Sequence, residues 1–266
     1  MSLFESIILG IVQGATEFLP VSSSGHLIIT RILFNGSAVG SIAYDAVLQL
    51  ATVLAVLVYF WKDITKLVKT FFSWIFRKPV TKEDSVMLKA ILFGTVPALI
   101  LGLLLEETMD TVFRASEMVA FALLFGSVLM FLAEKYAKQI HALTPKKGFF
   151  IGLFQSLALI PGVSRSGATI SGGLFLGLKR ETAARFSFLL SFPIIAGSGL
   201  KKLLDLIQSG GLSGGEWSPI IVSSLVAFIV GLFAIHFLIT FLKKHSLSVF
   251  IWYRVILAIG ILIFLR

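Results

Sequence analysis

A polar segment between Gln13 and His26 interrupts the apolar start of the chain. It holds one carboxylate, Glu17, and three consecutive serines, Ser22 to Ser24. A carboxylate inside a membrane segment is costly, so it indicates either a functional group or a hydrogen-bonded structural one. The free N–H groups at the start of a helix, together with serine hydroxyls, can bind an anion. The segment therefore predicts an anion site with acid–base groups beside it.

A second polar segment, residues 155–169, repeats the construction of the first when the chain is shifted by 142 positions. The matched pairs include Gly10 with Gly152, Gln13 with Gln155, Ser22 with Ser164, Ser24 with Ser166, and Gly25 with Gly167. Arg165 takes the place of Ser23, and its planar guanidinium can bind two phosphate oxygens at once. The offset is slightly more than half of the 266 residues. We therefore expect a duplicated chain whose two polar segments form one site.

The side chains of the two segments together suit phosphoryl transfer. Glu17 would hold a divalent cation, and Arg165 with the helix starts would neutralise phosphates. His26 would manage a proton or attack phosphorus, and Thr169 could donate to the same anion. Structural interpretations stay open beside these. Serine is a good helix N-cap, and Glu17 could simply be the ion-pair partner of Arg165.

The composition is that of a membrane protein. Hydrophobic residues make up 57% of the chain and charged residues 14%, whereas a soluble domain is nearer half apolar and a quarter charged. The mean hydropathy is +0.97 and several apolar runs approach 20 residues, which predicts a polytopic helical membrane protein in the lipid bilayer. The chain has no cysteine, which excludes disulfides and thiolate chemistry. Loop placement explains the net charge of +9, so no nucleic-acid partner is expected.

The apolar pattern predicts an all-α fold of six transmembrane helices and two re-entrant helical hairpins. Each hairpin is a pair of helices too short to cross the ~30 Å apolar core, at residues 3–19 with 24–34 and 149–160 with 168–177. The spans are expected at about 42–61, 87–105, 117–133, 185–204, 219–242 and 249–265. An interfacial helix is expected at 64–76, and loops or turns at 35–41, 106–110 and 209–215.

Charge placement predicts how the chain is oriented. Most of its 23 lysines and arginines fall on one face, which the positive-inside rule makes cytoplasmic, with both termini outside. Each half, about 1–140 and 148–266, then has one hairpin and three spans within a single membrane domain, 1–266. An odd number of spans forces the halves into opposite orientations. The expected architecture is an inverted repeat whose hairpin tips meet near the membrane midplane.

A family resemblance rests on these same residues. The segment QGATEFLPVSSSGH, from Gln13 to His26, resembles the Glu/Gln-x-x-x-Glu motif of the undecaprenyl pyrophosphate phosphatases, also called bacitracin-resistance proteins. The segment PGVSRSGAT, from Pro161 to Thr169, is similar to their Pro-Gly-x-Ser-Arg-Ser-x-x-Thr motif. The resemblance extends over nearly the whole chain in length and motif spacing.

The resemblance implies a bacterial inner-membrane hydrolase that removes the terminal phosphate of undecaprenyl pyrophosphate. Its product is the lipid monophosphate that is recycled for peptidoglycan synthesis, and the activity confers bacitracin resistance. The resemblance also implies a divalent cation, Mg²⁺ or Ca²⁺, a site open to the periplasmic side and a homodimer.

Roles for individual residues follow from the resemblance as well. Glu17 would be the essential acid and a metal ligand, with Gln13 as a second ligand. His26 would be catalytic, with Ser22 or Ser23 as a nucleophile candidate. The pyrophosphate would be bound by Ser22, Ser24, Ser164, Arg165, Ser166 and Thr169, and Arg165 would also act in catalysis. Many members have Glu where this chain has Gln13, so substrate phosphates become more important as metal ligands.

Two other functions are compatible with the inverted repeat. One is a transporter or flippase of a prenyl phosphate lipid, and the other is an anion channel. The pairing of His26 with Glu17 favours an enzyme, because transport needs an anion site but neither a nucleophile nor an acid–base group.

Overall fold

The computed structural model describes residues 2–34, 42–111, 116–208 and 217–264. Every regular element in these ranges is helical, with no strand, which confirms the all-α prediction. The helices are α1 (Leu3–Phe18), α2 (Ser23–Leu33), α3 (Ile42–Tyr59), α4 (Trp61–Ile75), α5 (Lys82–Thr111), α6 (Ser116–Tyr136), α7 (Pro145–Ser156), α8 (Arg165–Phe175), α9 (Arg180–Gln208), α10 (Trp217–Leu242) and α11 (Ser248–Phe264). A short 3-10 turn, Leu157–Leu159, follows α7.

The helices are long and apolar enough for a multi-pass membrane protein. In the described ranges four of them could each cross a membrane, namely Lys82–Leu105, Glu117–Tyr136, Arg180–Asp205 and Trp217–Leu242. The segments Val47–Tyr59 and Trp61–Ile75 pass the same test only as a pair, and they meet at an angle of 86°. Helix α11 is a shorter apolar helix, Ser248–Phe264. The structure therefore supports four or five spans by length and composition.

Helix α5 is longer at both ends than the span predicted at about 87–105. Helix α5 begins at Lys82 rather than 87, because Thr81 caps it: its hydroxyl accepts the N–H of Asp84 at 3.2 Å. The acidic segment 106–110 was expected to be a loop, yet α5 continues through it to Thr111. Glutamate and methionine favour helices, and nothing in the segment breaks one. The predicted turns at 35–41 and 209–215 lie outside the described residues.

Helix α1 packs against α10 through backbone contacts. A Cβ added at Gly10 would lie 2.5 Å from the carbonyl oxygen of Ser223. A Cβ added at Gly14 would lie 2.5 Å from the carbonyl oxygen of Ala227. Both distances are too short for a real side chain, so only glycine lets the two helices approach this closely.

Helix α7 packs against α5 in the same way. A Cβ at Gly148 would lie 2.6 Å from the Cα of Ala90, and a Cβ at Gly152 would lie 2.8 Å from the Cα of Gly94. The first helix of each predicted hairpin is therefore held against a longer helix by small residues. Helix α8, which follows α7, packs against α6, α7 and α9 and is buried from Ser166 to Leu174.

Candidate active site

Each polar segment contains a serine that caps the following helix, and the two caps are of the same kind. Ser22 precedes α2 and accepts the N–H of Gly25 with its hydroxyl at 3.4 Å. Ser164 precedes α8 and accepts the N–H of Gly167 at 3.2 Å. Both serines have positive φ angles, 78° and 74°, where residues other than glycine are strained. Such strain is held only where the surrounding structure imposes it, and it is concentrated at functional sites.

The two segments are also bonded to each other. The hydroxyl of Ser24 accepts the N–H of Gly162 at 3.4 Å. The hydroxyl of Ser166 donates to the carbonyl of Leu19 at 3.2 Å. The two polar segments are therefore joined directly by hydrogen bonds.

Arg254 of α11 joins the two segments from behind. Its side chain is fully buried. The guanidinium donates to the carbonyl of Pro20 at 3.3 Å and to that of Gly162 at 3.0 Å. It also donates to the carbonyl of Leu123 at 3.0 Å and the hydroxyl of Ser127 at 3.2 Å, both on α6. Arg254 is not among the site residues predicted from the sequence, although an arginine inside an apolar span is a functional candidate by default.

Glu17 is the centre of the polar cluster and is 7% exposed. Its Oε1 accepts the Nη2 of Arg165 at 2.7 Å, which forms a buried ion pair between the two halves. Its Oε2 accepts the hydroxyl of Ser23 at 2.7 Å and the Nε2 of Gln13 at 3.0 Å. The structure thus brings together four predicted site residues from the two segments.

A cavity of about 610 Å³ opens beside this cluster. Predicted site residues contribute to its polar part, namely Glu17, Ser22, Ser23, Ser24, Ser164 and Arg165. The other polar lining residues are Thr16, Gln49, Thr95, Gln155, Ser198, Lys201 and Lys202. The apolar part comes from α5 and α9 and includes Leu99, Leu103 and Ile194. The Nη1 of Arg165 is buried and has no hydrogen-bond partner among the described residues. A polar end with an unpaired donor and an apolar wall suit a ligand with a charged head and an apolar chain.

His26 does not line the cavity. Its Nδ1 lies 2.7 Å from the carbonyl of Ser22, so this nitrogen carries the proton and donates. Its Nε2 then accepts the hydroxyl of Tyr253 at 2.7 Å, and the two rings are stacked. Both nitrogens are therefore occupied, and His26 fixes the strained carbonyl of Ser22. Tyr253, from the far end of the chain, was not singled out in the sequence.

Ser166 and Thr169 also lie behind the cavity wall. Ser166 is 1% exposed and Thr169 is fully buried. The hydroxyl of Thr169 donates to the carbonyl of Arg165 at 2.7 Å and lies 2.6 Å from the hydroxyl of Ser187. Both side chains thus support the start of α8, and their predicted contact with a pyrophosphate stays a prediction.

Oxygen donors for a cation are few at this site. No group of three His, Cys, Asp or Glu side chains could hold a metal in the part of the chain that the structure describes. Glu17 is the carboxylate of the cluster, and the Oε1 of Gln13 beside it is buried without a partner. Mg²⁺ is commonly held by one or two carboxylates, with waters and substrate phosphates as the other ligands. The donor set fits a cation that is shared with a phosphate ligand.

Comparison with known proteins identifies the family. The model of the family described as Bacitracin resistance protein BacA matches residues 6–260. The chain belongs to the BacA family. That match includes both polar segments and Arg254.

Curated relatives of this BacA-family chain cover nearly its full length. A protein of Pelodictyon phaeoclathratiforme named Undecaprenyl-diphosphatase is 45% identical over 273 residues, covering 98% of this chain and 96% of the relative. Proteins of the same name in Mycolicibacterium smegmatis and Thermobifida fusca are 45% and 43% identical. These matches cover 98% and 99% of this chain and 96% and 89% of the relatives.

Proposed function

We propose that this protein hydrolyses undecaprenyl pyrophosphate to undecaprenyl phosphate and inorganic phosphate. The observation that carries the proposal is the arrangement in the cavity of Ser23, Glu17 and Arg165, a hydroxyl, a base and an anion-binding cation joined by two contacts of 2.7 Å. The enzyme name of the curated relatives supports the same activity. The lipid product is recycled for peptidoglycan synthesis, and the activity confers bacitracin resistance.

Ser23 is the nucleophile of the proposed reaction. Its hydroxyl already donates to Glu17, which takes the proton as the oxygen attacks the terminal phosphorus. The anhydride bond breaks, and undecaprenyl phosphate leaves with the bonding electron pair. The proton on Glu17 passes to solvent water, which returns the carboxylate to its charged form. Water then attacks the phosphorus of the phosphoserine and gives a proton to Glu17. The Oγ–P bond breaks, the serine oxygen takes up that proton, and inorganic phosphate is released. His26 has both ring nitrogens occupied outside the cavity, so it acts by holding Ser22 in place.

Arg165 and the helix starts bind the phosphates. The Nη2 of Arg165 holds Glu17, and its Nη1 has no partner among the described side chains and is available to a phosphate oxygen. The N-termini of α2 and α8 also line the cavity, through Ser23, Ser24 and Arg165. The N–H groups and dipoles of helix starts favour anions. The ligand's charge is thus balanced from both halves of the chain.

A divalent cation, Mg²⁺ or Ca²⁺, completes the proposed site. The oxygens of Glu17 and the Oε1 of Gln13 would hold it together with substrate phosphate. When bound, such a cation neutralises negative charge on the phosphates. This assignment rests on the chemistry of the donor set and on the family resemblance.

The proposed architecture is a single membrane domain, 1–266, built as an inverted repeat with six spans and two re-entrant hairpins. Support comes from the paired helix contacts, since α1 packs on α10 as α7 packs on α5, with Gly10 and Gly152 at matching positions of the repeat. The matching caps at Ser22 and Ser164 support it too. The charge pattern supports a cytoplasmic basic face with both termini outside. The family resemblance supports the bacterial inner membrane and a site open to the periplasm. A homodimer rests on the family resemblance alone.

Phosphate release from purified protein tests the proposal. We expect release from undecaprenyl pyrophosphate with Mg²⁺ or Ca²⁺ present and its loss in EDTA. Ser23→Ala should reduce the rate by at least about a thousandfold, as expected for a lost nucleophile. Ser73→Ala on α4, outside the cavity, is the matched control.

No release by the wild-type protein with either cation would refute the hydrolase. The alternative function would then be a transporter or flippase, which the enzyme name of the relatives does not favour. Near-normal release by Ser23→Ala would show that another group attacks phosphorus.

A further inference from the structure

Gln155 at the end of α7 has an unusual environment. It is 3% exposed and lines the cavity. Neither its Nε2 nor its Oε1 has a hydrogen-bond partner among the described residues. A buried primary amide normally makes several hydrogen bonds, so this one must have another reason to be there.

The repeat shows what Gln155 lacks. Its counterpart in the first half, Gln13, donates to Glu17 four residues later. The residue four after Gln155 is Leu159, which also lines the cavity. Gln155 therefore keeps the amide of the first half but has no carboxylate in its own half to receive it.

The nearby chemistry indicates what would receive the amide. Two groups of the second half line the cavity with buried donors that lack an acceptor, the Nε2 of Gln155 and the Nη1 of Arg165. An oxygen-rich anion supplies acceptors to both. The wall beyond them is apolar, through Leu159 and Leu99, and suits the chain that carries the anion.

We propose that Gln155 is a substrate-binding residue that donates its Nε2–H to a pyrophosphate oxygen in the cavity. The proposal rests on the hydrolase function proposed above. As a neutral donor, the amide holds the substrate without taking part in bond breaking, so it contributes to binding before and during the reaction. Its loss should therefore raise KM and leave kcat largely unchanged.

Gln155→Leu separates this role from a structural one. Leucine has a similar size and removes an unpaired buried amide, so the apparent Tm should be unchanged or higher. KM for undecaprenyl pyrophosphate should rise about tenfold to a hundredfold, the value of one hydrogen bond to a charged group. Gln208→Leu, at the exposed end of α9, is the matched control and should change neither quantity.

Two measurements keep this inference distinct from the hydrolase proposal. Phosphate release gives KM and kcat, and the thermal shift caused by inorganic pyrophosphate gives binding without turnover. Pyrophosphate should stabilise the wild-type protein and have a much smaller effect on Gln155→Leu, whether or not the wild type turns over. No phosphate release by the wild type overturns the hydrolase alone if this difference in binding is present.

Other outcomes overturn the role of Gln155 itself. Normal turnover by the wild type with an unchanged KM in Gln155→Leu would do so. So would equal stabilisation of both proteins by pyrophosphate, or a lowered apparent Tm with kcat and KM changed together, which indicates a structural role. If the wild type neither turns over nor binds pyrophosphate, both proposals fail.

Discussion

A methyl group added at Gly152 would test how the second hairpin is held. Gly152 lies on α7, one turn before Gln155, and faces the backbone of Gly94 on α5. The Cβ of an alanine at this position would lie 2.8 Å from both the Cα and the carbonyl carbon of Gly94. The obstacle is backbone, so no side-chain rotation can remove it.

The expected cost follows from that distance. Carbon atoms pack best at about 3.5–4.0 Å, so α7 and α5 must separate by about 1 Å. Overpacking of this kind costs about 1–3 kcal/mol. We expect Gly152→Ala to lose about 2 kcal/mol, which lowers the apparent Tm by about 4–8 °C in a chain of this size. Phosphate release should fall as well, because α7 carries Gln155 into the cavity.

Gly260→Ala is the matched control. An added Cβ at this position of α11 meets nothing within 4 Å. Alanine favours a helix over glycine by up to about 1 kcal/mol, so this variant should melt at or above the wild-type temperature. Thermal unfolding in one detergent compares the three proteins. If Gly152→Ala melts no lower than Gly260→Ala, the close packing of α7 on α5 does not hold the hairpin.

Two further predictions concern residues that the cavity does not include. Arg254→Met removes the donors to the carbonyls of Pro20 and Gly162, so phosphate release should fall at least about tenfold. Arg77→Met at an exposed turn is its control. Unchanged release in Arg254→Met would show that hydrolysis does not depend on the contacts by which Arg254 joins the two segments. Tyr253→Phe removes one hydrogen bond to His26 and should lower the rate of phosphate release about twofold to tenfold. A rate equal to that of the wild type would show that this contact does not contribute to hydrolysis.

The helices and the two polar breaks follow from the sequence alone. Both are local properties: serine and glycine at the breaks cap α2 and α8, and apolar runs continue on either side. The repeat of Ser22, Ser24 and Gly25 in the second half also showed that the two breaks belong together. The loop predicted at 106–110 is wrong, because the acidic residues there are compatible with a helix and α5 continues through them.

The partner of each polar side chain depends on the tertiary structure. Glu17 contacts Ser23 and Arg165 at once, so its ion pair does not exclude the catalytic role proposed for it. His26 is hydrogen-bonded to Tyr253, and the amide of Gln155 has no hydrogen-bond partner among the described residues. These outcomes depend on how each helix is rotated about its axis and on which neighbours it meets. Contacts between distant small residues, such as Gly152 with Gly94, determine that rotation, and residue spacing along one helix does not specify it.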